Sequence, residues 1–459
     1  MSAYATLGDV ADVVAGVGFP KEMQGQSSGD VPVFKVGDIS NAVKSGTRYL
    51  RSSPNHLSKE DARKLAAKLM PIDTIVFAKI GEGLKLNRRA ILAQPSLVDN
   101  NVMGLIPKSG LITSAYLYWF MQTVELGDLS RATAVPSVRK SDVIDISIPL
   151  PELQEQADIV AEIEKQFSRL DEAIANLKRI KANLKRYKAA VLKAAVEGRL
   201  VPTEAELAKK EGRAIERGSE LLHRILNARR KEWKAKGKYA EPMEPSAETL
   251  PVLVEGWSWS CLDQVTSKIT SGSRDWSPFY NRGTGIFVLA QNVRPLFPDF
   301  SNKQFVDPPI GDSARDRSRI AAGDLLATIV GANAGQVCMI ELPPDEAYVC
   351  QSVALIRPVV KETAEYLNYW FNSAEHGQRY FERCMYGQGR PHLSFDQLAA
   401  MPIALPPLLE QRRIVAEVER QFSLIHGVER QIAANLIRAE KLRAAVLTRI
   451  FSTTISTDT

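Results

Sequence analysis

Glu155-Gln156, Ile159-Val160-Ala161-Glu162 and Gln166-Phe167-Ser168 return in the same order and spacing as Glu410-Gln411, Ile414-Val415-Ala416-Glu417 and Gln421-Phe422-Ser423. Around these runs, residues 148–198 align with 403–453 without a gap. Leu150-Pro151 faces Leu405-Pro406, and Ala189-Ala190-Val191-Leu192 faces Ala444-Ala445-Val446-Leu447. Self-similarity of this kind decides architecture before any local reading does. Weaker matches continue upstream. Leu7 and Val10 match Leu262 and Val265, and Val138 matches Leu393 in the same register. With four residues fewer between the copies, Asp73, Val98, Val102, Pro107 and Tyr118-Trp119-Phe120 match Asp324, Val349, Val353, Pro358 and Tyr369-Trp370-Phe371. The 459 residues therefore read as one unit written twice.

The matched segments predict two long helices. Pro151 and Pro406-Pro407 suit a helix start, where a missing N–H costs nothing. No Gly or Pro interrupts 152–197. Apolar residues step by three and four through 159, 163, 167, 170, 174, 177, 180, 184, 187 and 191, and through 414, 418, 422, 425, 428, 432, 436, 439, 442 and 446. That is a coiled-coil seam. A helix of ~45 residues spans roughly 70 Å. The first is acidic at its start and basic at its end, and the second has a basic second half, so antiparallel pairing is expected.

The regions between look mixed. Val31–Val36, Thr74–Ala78, Gly285–Leu289 and Leu325–Ile329 read as short strands, and Ala115–Gln122 and Ala364–Asn372 as helices with aromatic inner faces. The fold class is α+β: two globular regions separated by two long antiparallel coiled-coil helices, with a pseudo-two-fold internal repeat. The boundaries are 1–147 for the first globular region and 148–198 for the first helix. A basic connector covers 199–250, the second globular region 251–402, and the second helix with its tail 403–459.

Composition excludes several classes. At 45% hydrophobic and 24% charged, the chain is neither disordered nor a polytopic membrane protein. No apolar run reaches the ~18 residues of a spanning helix. The start, Met1-Ser2-Ala3-Tyr4-Ala5-Thr6, lacks a secretory pattern. Cys261, Cys338, Cys350 and Cys384 form no C-x-x-C pair, which fits a reducing cytoplasm. The basic surplus of 199–240 equals the net +6 of the whole chain, while 241–402 is net acidic. Arg229-Arg230-Lys231 with Lys234, Lys236 and Lys238 is either a solvated helix face or a nucleic-acid contact.

Catalytic patterns fail one by one. Gly81-Glu82-Gly83-Leu84-Lys85 is too short for a phosphate-binding loop, and Gly331-Ala332-Asn333-Ala334-Gly335 lacks the lysine, so both read as turns. Asp307-Pro308-Pro309-Ile310 resembles the loop of amino-methylating DNA methyltransferases, but its fourth position is not the aromatic that stacks on a flipped base. The histidines at 56, 223, 376, 392 and 426 show no ligand spacing, so no metal site is expected. These failures favour a binding protein over an enzyme.

Together these features resemble the specificity subunit of type I restriction–modification systems. The resemblance rests on the alternating architecture and on particular stretches. These are Pro149-Leu150-Pro151-Glu152-Leu153-Gln154-Glu155-Gln156 with its copy Leu405-Pro406-Pro407-Leu408-Leu409-Glu410-Gln411, the run Gly218-Ser219-Glu220-Leu221-Leu222-His223-Arg224-Ile225-Leu226, and Glu255-Gly256-Trp257-Ser258-Trp259 leading into Leu262. The resemblance implies a non-catalytic subunit whose two globular regions are target-recognition domains, each reading half of a bipartite double-stranded DNA sequence. It implies as partners two modification subunits, then two restriction (motor–nuclease) subunits. S-adenosylmethionine, ATP and Mg are expected on those partners, with no cofactor in this chain and no membrane. Glu155, Gln156, Ala189, Ala190, Val191, Glu410, Gln411, Ala444, Ala445 and Val446 become candidates for helix pairing or subunit docking.

Base reading favours Arg, Lys, Asn and Gln. The DNA-binding candidates are Lys79, Lys85, Asn87, Arg88, Arg89, Arg139 and Lys140 in the first region. In the second they are Arg274, Gln291, Asn292, Arg294, Asn333 and Arg390. Two other readings stay open: a coiled-coil scaffold without DNA specificity, and a fused adenine methyltransferase–specificity enzyme.

Overall fold

The computed structural model describes residues 3–65, 68–130, 135–233, 239–245, 250–387 and 389–453. Lys234, Lys236 and Lys238 lie outside these. The chain divides into two compact units, Met1–Lys178 with Ile432–Thr459, and Arg179–Gln431.

In the first unit the strands are β1 (Ala3–Thr6), β2 (Ala11–Ala15), β3 (Val31–Phe34), β4 (Tyr49–Leu50), β5 (His56–Leu57), β6 (Ile75–Ala78), β7 (Arg89–Leu92), β8 (Leu97–Val98), β9 (Val102–Pro107) and β10 (Ser147–Leu150). They form sheets in the orders β2-β9-β6-β7-β4, β5-β3-β8 and β1-β10. The second unit has β11 (Ser258–Cys261), β12 (Thr266–Ser271), β13 (Tyr280–Val288), β14 (Gln304–Val306), β15 (Leu325–Thr328), β16 (Val337–Met339), β17 (Ala347–Val349), β18 (Val353–Pro358) and β19 (Pro402–Leu405). Their orders, β12-β18-β15-β16, β14-β13-β17 and β11-β19, reproduce the first unit except for its fifth strand β4, whose place is taken by a single bridge of Leu296 with Cys338. Even the mixed pairing recurs: β3 runs antiparallel to β5 and parallel to β8, as β13 does to β14 and β17.

The expected strands are present, and all four are buried where they pair. One ends early: at Lys35 the chain turns into the helix Val36–Lys44. The aromatic helices are Ser114–Met121 and Ala364–Asn372. In each, a fully buried tyrosine hydroxyl donates to a carbonyl of the last strand, Tyr116 to Pro149 at 2.9 Å and Tyr366 to Ala404 at 2.7 Å. Tyr116 thus corresponds to Tyr366. The register is one residue tighter than the match of Tyr118-Trp119-Phe120 with Tyr369-Trp370-Phe371, and the true counterparts are Asn368-Tyr369-Trp370. Asp73 needs the same correction. Its left-handed turn (φ 69°) is matched by Gly323 (φ 88°), not by Asp324. Asp73 N–H donates to Leu92 O as Gly323 N–H does to Ile340 O.

The long helices are Leu153–Val196 and Leu408–Thr453. They pair antiparallel inside each unit. In the first, Ile163 and Phe167 share a core with Leu447 and Phe451, and Arg443 pairs with Asp171 and covers the Phe167 ring. In the second, Val191, Leu192, Ala195 and Val196 pack with Ile414, Val415 and Val418, and Lys188 pairs with Glu429 at 2.9 Å. The expected seam is buried only in part. Ile180, Tyr187, Val428 and Leu442 are exposed. Strict three–four stepping drifts around a straight helix, because 3.6 residues make a turn.

The connector is helical at Glu204–Glu211 and Gly218–Glu232. Much of its positive charge is spent internally: Arg229 pairs with Asp263, Arg230 with Glu241, Arg224 with Glu216 and Arg213 with Glu204. Glu410 anchors it, accepting from Glu204 N–H and Trp257 Nε1, both at 2.8 Å. Burial pushes the Glu410 carboxyl up despite these donors.

Two glycines set the approach of backbones at equivalent places. A Cβ on Gly16 would stand 1.9 Å from Asp99 O, and one on Gly272 would stand 1.6 Å from Val349 O. Asp99 O is held by Val102 N–H at 3.0 Å and Val349 lies in β17, so neither carbonyl can yield without disturbing its neighbours. Gly16→Ala and Gly272→Ala are each expected to cost about 1–3 kcal/mol, read as a lower midpoint in urea for the unit that carries the change.

Candidate nucleic-acid interface

In both units one backbone relay ties three loops together. In the first, Lys79 N–H donates to Asn101 O (2.9 Å), Val138 N–H to Lys79 O (2.9 Å) and Gly81 N–H to Pro136 O (2.8 Å). In the second, Ile329 N–H donates to Ser352 O (2.8 Å), Leu393 N–H to Ile329 O (2.9 Å) and Gly331 N–H to Pro391 O (3.0 Å). Because only main-chain atoms hold the relay, its side chains are free to differ.

In the first unit the relay gathers Lys79, Lys85, Arg88, Arg139 and Lys140. Lys79 and Arg88 are half-buried, and Arg139 and Lys140 are exposed at the start of the helix Lys140–Ile144. Lys85 is exposed and pairs with Glu82 at 2.8 Å. It ends a one-turn helix, Glu82–Lys85, where a plain turn was expected. Gly81 (φ 75°) supplies the left-handed entry.

Arg89 leaves the candidate set. It is 1% exposed, and its guanidinium donates to the carbonyls of Asn87 and Val124 and, at 2.8 Å, to Asn87 Oδ1. Burial lowers its pKa to about 10. Asn87 leaves with it. It sits at φ 50°, donates to Val124 O at 3.1 Å and accepts from Leu126 N–H at 3.2 Å. Both read as base contacts from residue type alone, and both are braces.

In the second unit, Asn333 is half-buried and Arg390 exposed beside the relay. Arg274, exposed, donates to Gln351 on the next loop. That loop adjoins the relay through Ser352, and Gln291, exposed, follows the end of β13 beside it. Arg294 is exposed. Asn292 is removed from the set. It is 2% exposed, and its amide donates to Asp299 O and Asn302 O, both at 2.8 Å, while Oδ1 accepts from Leu289 N–H at 3.0 Å.

Sequence reasoning passed over Asn100 and Gln351. Asp99 N–H bonds Phe34 O as Cys350 N–H bonds Val288 O, so Asn100 and Gln351 occupy one position, on loops at the carboxyl ends of parallel strands. The matches of Val98 with Val349 and of Val102 with Val353 bracketed both amides. Amide side chains on a shared frame are the residue type that reads bases.

The docking candidates separate as well. Gln156 is buried and holds a loop through Thr113 N–H, Leu111 O and Pro151 O, and its copy Gln411 bonds Pro406 O. Val191 is buried and Val446 half-buried, facing the cores. Glu410 is buried under the connector, whereas its copy Glu155 is exposed. Ala189, Ala190, Ala444 and Ala445 are all exposed, so they do not pair the helices. Asp307-Pro308-Pro309-Ile310 is a surface loop with Ile310 94% exposed. Among the described residues no cluster of His, Cys, Asp and Glu could hold a metal, and no helix is long and apolar enough to cross a membrane.

A model of the type I restriction modification DNA specificity domain matches residues 2–186 and 316–435. The chain belongs to this family. The specificity subunit of the EcoKI enzyme of Escherichia coli K12 is 22% identical over 459 residues, covering 97% of this chain and 88% of its own. That of EcoDI, also from Escherichia coli, is 24% identical over 357 residues, 74% of this chain and 70% of its own. Among solved structures, a chain from a study of assembly and conformational transition in a type I R-M system superposes with a TM-score of 0.62 at 18% identity, covering 98% of this chain and 97% of that one. The HsdS subunit from Thermoanaerobacter tengcongensis gives 0.54 at 18% identity, over 98% and 96%. The two-unit fold with paired long helices is thus the fold of specificity subunits. This specificity subunit is the DNA-recognising, non-catalytic kind of component.

Proposed function

We propose that each unit reads one half of a bipartite double-stranded DNA target. One frame carrying two different sets of side chains supports this reading. The first relay presents Lys79, Lys85, Arg88, Arg139 and Lys140; the second presents Arg274, Gln291, Asn333 and Arg390. The paired helices set the distance between half-sites. Recognition domains of 1–147 and 251–402, a spacer helix in 148–198, a second spacer helix with its tail in 403–459, and a connector of 199–250 express this division.

The exposed pairs Ala189-Ala190 and Ala444-Ala445 support docking of two modification subunits, since small residues let a partner backbone approach and the same surface is offered twice. Two restriction subunits complete the complex. S-adenosylmethionine, ATP and Mg belong to those partners, and the assembly works in the cytoplasm, where its DNA is.

Exchange of residues 1–147 for those of another family member is the direct test. The methylated sequence mapped in a host carrying the hybrid is expected to change in one half and keep the other half and the spacing. A change in both halves refutes one unit per half-site.

A further inference from the structure

The repeat is unequal beneath the aromatic helix. In the first unit Arg48 reaches under the aromatic helix. It pairs with Glu164 at 2.6 Å, and its guanidinium lies 5.4–5.8 Å from the ring centres of Tyr49, Tyr118 and Trp119. Its carbonyl accepts from Ile91 N–H. In the second unit the same backbone place belongs to Leu296, whose carbonyl accepts from Met339 N–H. Phe297 then stands for Tyr49, Tyr369 for Trp119, and Glu419 for Glu164.

Among the described residues of the second unit no side chain takes the place of the Arg48 guanidinium, and a groove of about 650 Å³ opens there. Its apolar wall includes Phe297, Tyr369 and Phe422, with Phe297 55% exposed. Glu341, Glu365 and Glu419 line it as well, and among the described residues none of the three has a salt-bridge partner. Burial, with the charges of Glu419 and Glu341, raises the Glu365 carboxyl. His426 and Arg430, further along the second long helix, also line it. Unpaired carboxylates beside aromatic faces suit a guanidinium, which forks onto a carboxylate and stacks on a ring. They repel a phosphate backbone, so the groove is not part of the DNA surface.

We infer that this groove receives an arginine side chain from a partner polypeptide, seated where Arg48 sits in the first unit. The first unit supplies its own arginine; the second takes one in trans. The contact therefore exists once per chain and marks one unit for a partner that the other does not engage.

The probe is the peptide acetyl-Ala-Leu-Arg-Leu-Ala-amide, fluorescently labelled and titrated with the full chain by anisotropy. Binding is expected to weaken roughly fivefold to tenfold when the peptide carries Gln for Arg and when the chain carries Glu419→Gln. Leu296→Arg, which fills the groove from within as Arg48 does, is expected to abolish binding and raise the melting temperature. The Glu419→Gln measurement stands alone if Leu296→Arg does not fold. Equal binding of the two peptides, an unchanged affinity for Glu419→Gln, or no binding by the unaltered chain at about 1 mM peptide overturns the inference. None of these outcomes bears on DNA recognition, which is read separately by gel shift.

Discussion

Replacing Lys79, Arg88, Arg139 and Lys140 together by alanine is expected to weaken DNA binding by about two to three orders of magnitude near 0.1 M salt. The four cations lie on loops that one relay draws together, Val138 N–H to Lys79 O and Gly81 N–H to Pro136 O. Each phosphate neutralised contributes about 0.9 to the slope of log affinity against log salt, so the slope should flatten by as much as about 3–4 if all four touch phosphates. A smaller flattening with relaxed sequence preference would assign some of them to bases. Folding should be untouched, because the relay uses main-chain atoms. An unaltered slope and unaltered sequence preference would remove this face from the DNA interface. Single substitutions then divide the set, since loss of a phosphate contact weakens all sequences alike, whereas loss of a base contact costs ~1–3 kcal/mol at one position.

Arg89→Ala should act in the opposite way. The buried guanidinium satisfies the carbonyls of Asn87 and Val124 and the Asn87 side chain, and truncation leaves these acceptors without donors around a cavity. A loss of about 3–5 kcal/mol is expected in denaturant unfolding of the first unit. The protein that remains folded should bind its target with unchanged sequence preference. Arg89→Lys should recover little of the loss, since a point ammonium cannot span the acceptors that the fork reaches. A stable Arg89→Ala chain with altered target preference would return this residue to the DNA surface.

These two experiments mark how far residue type carries. The architecture was legible because it is repeated. Glu155-Gln156 and Glu410-Gln411 lie at equivalent turns of two helices, and periodicity extended both helices to nearly their full lengths. Local register was less legible. Tyr118-Trp119-Phe120 and Tyr369-Trp370-Phe371 are identical strings one residue out of structural phase, because Tyr116 and Tyr366 fix the helices through hydroxyls that bond a distant strand. The seam stays exposed at Ile180 and Tyr187, although the Tyr187 hydroxyl still donates to Gln421 across the pair, because a stripe drawn from spacing does not say which of its side chains are covered. Within the candidate interface, Arg88, Arg89 and Asn87 are neighbours of like chemistry, and only tertiary contacts separate the inward pair from Arg88. The paired glutamates diverged most. Glu410 is covered by a connector that follows the first long helix, whereas among the described residues no equivalent segment covers Glu155, so equal residues met unequal surroundings.

The backbone relay has a consequence for how such a protein changes over time. Its hydrogen bonds depend on no particular side chain at 79, 139, 333 or 390, so a substitution at these positions alters what is presented without taxing the fold that presents it. New sequence preferences can therefore arise by single steps through stable intermediates. Two units built on the same frame can drift apart in what they read while remaining interchangeable in how they fold.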